Sequence, residues 1–147
     1  MAVERDGSEP AGSPEGRPTS SGPGRLLVLV YAVFAISASA RAGVQIATDF
    51  AAAPVAYLLS AFAALVYLVL AVSLGRSGPR ARQVALAACT LELLGVLAVG
   101  TVSLLVPSEF PDATVWSGYG EGYGFVPLVL PVLGLAWLRH TAPGADR

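Results

Sequence analysis

Lysine and asparagine are absent from these 147 residues, isoleucine occurs twice, and there is one cysteine, one histidine and one methionine. Each shortage excludes something. A lone Cys89 supports neither a disulfide framework nor a cysteine-based metal site. The one histidine, His140, lies beyond the last apolar stretch, and no aspartate falls inside any such stretch. The pairings needed for nucleophilic, intramembrane aspartyl or metal-dependent hydrolysis are therefore missing. With no cofactor motif either, the chain reads as a non-enzyme without cofactor or metal. Charge is scarce as well: 13% of residues are charged and the formal net charge is −1, which excludes a nucleic-acid partner. All nine basic residues are arginine, a usage that points to a GC-rich bacterial genome.

What the chain does contain is hydrophobic residues, 54% of the total, with a mean hydropathy of +0.65; a soluble domain carries about a quarter charged residues, so this is a membrane chain. The expected fold is an all-α membrane protein, a four-transmembrane-helix bundle with a disordered N-terminal tail. Residues 1–24, with Pro10, Pro14, Pro18 and Pro23 among Gly and Ser, form that tail. The membrane domain covers 25–139, with spans at about 26–47, 54–74, 83–106 and 122–138, and a short tail follows at 140–147. About 22 residues at ~1.5 Å rise cross a ~30 Å hydrocarbon core, and the first three spans meet this length. The fourth is shorter, and Pro127 and Pro131 fall within it.

Apart from Arg41, every arginine lies in the tails or in the second link, which places both termini in the cytoplasm of a bacterial inner membrane. The two outer links instead hold Asp49, Glu109, Asp112 and Glu121 beside Phe50, Phe110, Trp116, Tyr119 and Tyr123. A rival topology has Arg25, the run from Leu26 to Ile36 and Ala38-Ser39-Ala40 acting as a signal peptide cleaved after Ala40, leaving three spans.

Two charges interrupt the spans, Arg41 and Glu92, and charge at membrane depth marks a candidate site. Glu92 lies ~14 Å from the inner end of its span, where the carboxyl must face the bundle interior, hydrogen-bonded or protonated. Tyr67, on the oppositely running second span, comes out at ~12 Å and is the candidate partner. Arg41 lies ~10 Å below the outer end of the first span and differs from Glu92 in depth by ~8–11 Å. It is therefore expected to pin the outer loop through Asp49, Glu109 or Asp112 instead of pairing with Glu92.

Small residues four apart, Ala35, Ser39, Gly43 and Ala47 on span one and Ala56, Ser60 and Ala64 on span two, favour close helix packing. The rows serve either a hairpin within the chain or, through Ala35, Ser39 and Gly43, a homo-oligomer. The third link contains Gly118-Tyr119-Gly120-Glu121-Gly122-Tyr123-Gly124. Gly-Tyr-Gly before an acid is similar to the potassium-channel filter, but Trp116-Ser117 stand where the filter has Thr-Val and no pore helix precedes them. The link instead reads as an aromatic lid, with Asp112, Trp116, Tyr119, Glu121 and Tyr123 as a candidate interaction surface. One buried glutamate in four spans is similar to small multidrug-resistance transporters, yet those carry it in the first span, so their activity does not transfer.

The order of segments, with ARAGVQIATDF at 40–50, the Glu92 span and FPDATVWSGYGEGYGFVPLVLPVLGLAWL at 110–138, resembles small actinobacterial four-span integral membrane proteins of unknown function. The resemblance covers about residues 25–139 and implies an inner-membrane location, without activity, ligand or site residues. The functional expectation is an accessory or assembly subunit that sits in the lipid bilayer and binds another membrane or envelope protein. The alternative is a small proton- or cation-coupled carrier using Glu92.

Overall fold

The computed structural model describes residues 22–144. The expected tail at 1–24 falls almost wholly outside the described residues, as does the end of the one at 140–147. Among the described residues all regular structure is helical, and three helices are long and apolar enough to cross a membrane.

Each long helix starts on a proline, whose fixed φ suits a first turn that has no hydrogen-bond partner for its N–H. Helix α1 runs Pro23–Asp49, α2 Pro54–Gly75 and α3 Pro79–Leu105. The first and third therefore begin about a turn earlier than hydropathy alone suggested. Helix α4, Val126–His140, is 15 residues long, or ~22 Å, too short to span by itself. It continues from a 3-10 segment, Ser117–Tyr123, bent against it by 99°, and the two together make the fourth candidate span.

Helices α1 and α2 form the most extensive pairing, a hairpin onto which α3 packs through α2; α4 rests on α3 and on the 3-10 segment. On α2 the small-residue row is used within the chain, since Ala56, Ser60 and Ala64 are all buried. On α1 the row divides. Tyr31, Ala35, Ala38 and Ala42 turn inward, while Ser39, Gly43 and Ala47 remain exposed. The core joins these residues to Tyr67, Leu70 and Leu74 of α2, Ala85, Cys89 and Val96 of α3, and Leu130 and Leu138 of α4. Leu29, Ile36, Leu58, Leu65, Leu94 and Leu133 point outward, as they must where the surrounding medium is hydrocarbon.

The two ends of the bundle differ in charge. Arg25, Arg76, Arg80, Arg82 and Arg139 gather where α1 begins, α2 turns into α3 and α4 ends, with no acidic residue there among those described. Asp49, Glu109, Asp112 and Glu121 lie at the opposite end, the lid end, with Arg41. Arg82 closes the arginine end by donating to the Leu138 carbonyl at the C-terminus of α4.

Candidate functional site

Glu92 is fully buried on α3, and its Oε2 accepts a hydrogen bond of 2.8 Å from the Tyr31 hydroxyl of α1. Tyr31 is itself fully buried. The partner is thus a tyrosine, as expected, but on the first helix and not the second. Tyr67 stands one ring away, its centroid 6.1 Å from that of Tyr31, and its hydroxyl accepts the Trp116 indole N–H at 3.0 Å. Cys89 lies one turn before Glu92 beside the Tyr31 hydroxyl, and Gly134 of α4 makes room for it, since a Cβ there would stand 2.7 Å from the thiol sulfur. These residues join all four helices and the lid around one carboxyl group. The other carboxyl oxygen, Oε1, is buried without a hydrogen-bond partner. The arrangement holds the carboxyl in place through one donated hydrogen bond and leaves one acceptor unused.

The lid is folded into the bundle. Thr114 begins the turn: its hydroxyl oxygen accepts the backbone N–H groups of Trp116 and Ser117 at 3.1 and 3.0 Å, while the Ser117 hydroxyl accepts the Thr114 N–H at 2.9 Å. That turn drives Trp116 inward until it is 2% exposed, edge-on to Phe62 and seated over Gly95, where a Cβ would come within 2.6 Å of the indole. Gly118, Tyr119 and Gly120 then form a left-handed turn with φ of 56°, 61° and 82°. Such a run is accessible to glycine but costs a tyrosine roughly 1–3 kcal/mol. Tyr119 is held there because its ring lies against Gly100, whose missing side chain makes the space, and its hydroxyl bonds Thr101 at 2.9 Å. The Gly118 N–H donates to the Ser103 hydroxyl at 3.0 Å.

One correction to the sequence reading follows. Trp116 belongs to the packing of the lid on α2 and α3 and is not presented outward, because the Thr114 turn and Gly95 draw its ring inside, while Tyr119 is half-buried with its ring against Gly100. In the glycine-rich string the Gly120 and Glu121 carbonyls accept the N–H groups of Phe125 and Gly124. Glu121 does remain exposed, and Tyr123 is half-buried with its ring 6.0 Å from Phe34.

Arg41 pins the loop, but through neutral groups. Its guanidinium donates to the Tyr123 hydroxyl at 2.7 Å and to the Ala113 carbonyl at 3.3 Å. Of the acids expected to hold it, Asp112 accepts the hydroxyl of Tyr57 on α2 instead. Arg41 and Glu92 therefore serve different places, the loop and the core. The residues that sequence reasoning missed are Tyr31, Thr101, Ser103 and Thr114. All are ordinary in apolar helices or loops, and only their contacts distinguish them.

No family model, curated protein or solved structure matches this chain.

Proposed function

We propose that the protein is an accessory or assembly subunit of a bacterial inner membrane, with both termini cytoplasmic, that docks through α1 onto a helix of another membrane protein. The observation that carries this reading is the exposed half of the small-residue row. Ser39 and Gly43 of α1 and Ala61 and Leu65 of α2 border an open groove of about 320 Å³, floored by Ala42 and Ala64. A side chain at Gly43 would meet nothing within 4 Å. In lipid, helices associate by close backbone approach at small residues. The row on α2 is already used inside the chain, and the outward part of the row on α1 is left for a second helix. The arginine-rich end, facing the cytoplasm, agrees with the charge bias of membrane insertion. The arginine-only, isoleucine-poor composition suits an actinobacterial source.

The test uses Gly43→Leu. The new side chain enters open space, so thermal stability of the purified protein is expected to hold or to rise by up to about 1 kcal/mol, since glycine is a poor helix former. Affinity purification in mild detergent is expected to recover a membrane protein with the wild-type chain and to lose it with Gly43→Leu. Undiminished recovery would overturn the reading. Recovery of only a second, differently tagged copy would replace it with a homo-oligomer through this face.

The second reading, a proton- or cation-coupled carrier, has one observation in its favour, the partnerless Oε1 of Glu92. Weighing against it, Glu92 has no exposure and Trp116 packs into the lid end of the same core. Glu92→Gln keeps an acceptor for Tyr31, so loss of a proton- or ion-dependent flux with stability intact would establish the carrier. A loss of stability alone removes it.

A further inference from the structure

At the arginine end, a groove of about 550 Å³ lies along α2 and α3 beside their short turn. This volume lies within the ~300–1,000 Å³ typical of small-molecule sites. Its membrane-facing part is hydrocarbon, from Leu68, Val69 and Val72 of α2 and Val84 of α3. Its mouth carries Arg76, Ser77 and Arg80. The axis of the groove thus runs from apolar to cationic within one surface, the polarity of an anionic phospholipid lying along a helix pair with its headgroup at the bilayer edge. Two further features reinforce the charge at the mouth. Helix α3 starts there, so the positive end of a 27-residue helix points toward it. Every other described charge at this end is also an arginine. Arg82 lies outside this mouth and donates to the Leu138 carbonyl.

We infer that the α2–α3 groove is a binding site for one anionic phospholipid, its phosphate held by Arg76 and Arg80 and one acyl chain laid against Val72 and Val84. The site lies on the α3 side of α2, meets the groove beside α1 only at Leu68, and goes beyond the docking role. It ties the bundle to the anionic leaflet at the turn where its two central helices meet.

The experiment titrates the full-length protein in detergent with phosphatidylglycerol and with phosphatidylcholine of the same acyl chains, read by native mass spectrometry. Phosphatidylglycerol is expected to bind about 25-fold tighter. At about fivefold per arginine near a headgroup, Arg76→Gln with Arg80→Gln is expected to lower its affinity about 25-fold while leaving phosphatidylcholine unchanged, which also reports an intact fold. Val72→Trp, which fills the apolar floor, is expected to weaken both lipids, whereas Arg139→Gln, outside the groove, changes neither by more than about twofold. Equal affinity for the two lipids, a double arginine variant that binds like the wild type, or a Val72→Trp variant that does so would each overturn the assignment. Binding that appears only after Glu4, Asp6, Glu9 and Glu15 are neutralised would give the groove to the chain's own N-terminal segment, and would overturn it too.

Discussion

Trp116→Ala is expected to destabilise the protein by about 3–5 kcal/mol, the range for removing a large buried aromatic whose site cannot collapse. Collapse is prevented on both sides of the indole. Gly95 offers no side chain to move into the space, and Phe62 meets the ring edge-on from a different helix. The substitution also removes the indole N–H from the buried Tyr67 hydroxyl. Trp116→Phe isolates that last contribution, because most of the ring volume stays; its cost is expected near about 1 kcal/mol, the net worth of an ordinary hydrogen bond. Thermal unfolding in a mild detergent, followed by circular dichroism, distinguishes the two variants. A Trp116→Ala protein as stable as the wild type would mean that the lid lies off the bundle.

The second large effect concerns the carboxyl group in the core. Tyr31→Phe is expected to cost about 1–3 kcal/mol or more, since it leaves a fully buried carboxyl group with neither oxygen partnered. Adding Glu92→Leu to Tyr31→Phe is expected to recover most of that loss, because replacing both members of a buried polar pair by apolar groups is close to neutral and also lowers the cost of membrane insertion. A double variant worse than Tyr31→Phe alone would show that Glu92 does something that Tyr31 does not serve. That outcome would return attention to the carrier reading.

These two residues also show what could be read from the sequence and what could not. The three long helices were visible as apolar runs, but hydropathy left Pro23 in the tail and Pro79 in the link, so of the three starting prolines only Pro54 was read as a helix start. Counting rise per residue brought Tyr67 to the level of Glu92, and the structure does place its ring beside that of Tyr31. Depth does not give rotation, however. In a helix apolar on all sides no stripe marks the inward face, so nothing singled out Tyr31 as the residue turned toward α3. The lid was harder for a related reason. Its aromatic residues suit a headgroup layer and a packed interior equally well. The choice between them was made by the Thr114 turn and by Gly95 and Gly100 of α3, one helix away in the fold and some twenty residues away in the chain. Arg41 was assigned correctly to the loop, but a charge suggested an acidic partner where a phenol and a carbonyl supply the contacts.

The proposed docking surface for a helix of another membrane protein is the outward half of the α1 row, Ser39 and Gly43. Crosslinking in native membranes from Gly43→Cys tests this most directly, with Leu94→Cys on α3, 60% exposed, as the lipid-facing control and Cys89 buried out of reach. A thiol-directed crosslinker is expected to give one discrete adduct with a different membrane protein from position 43 and none from position 94. No adduct from position 43, or the same adducts from both positions, would contradict it.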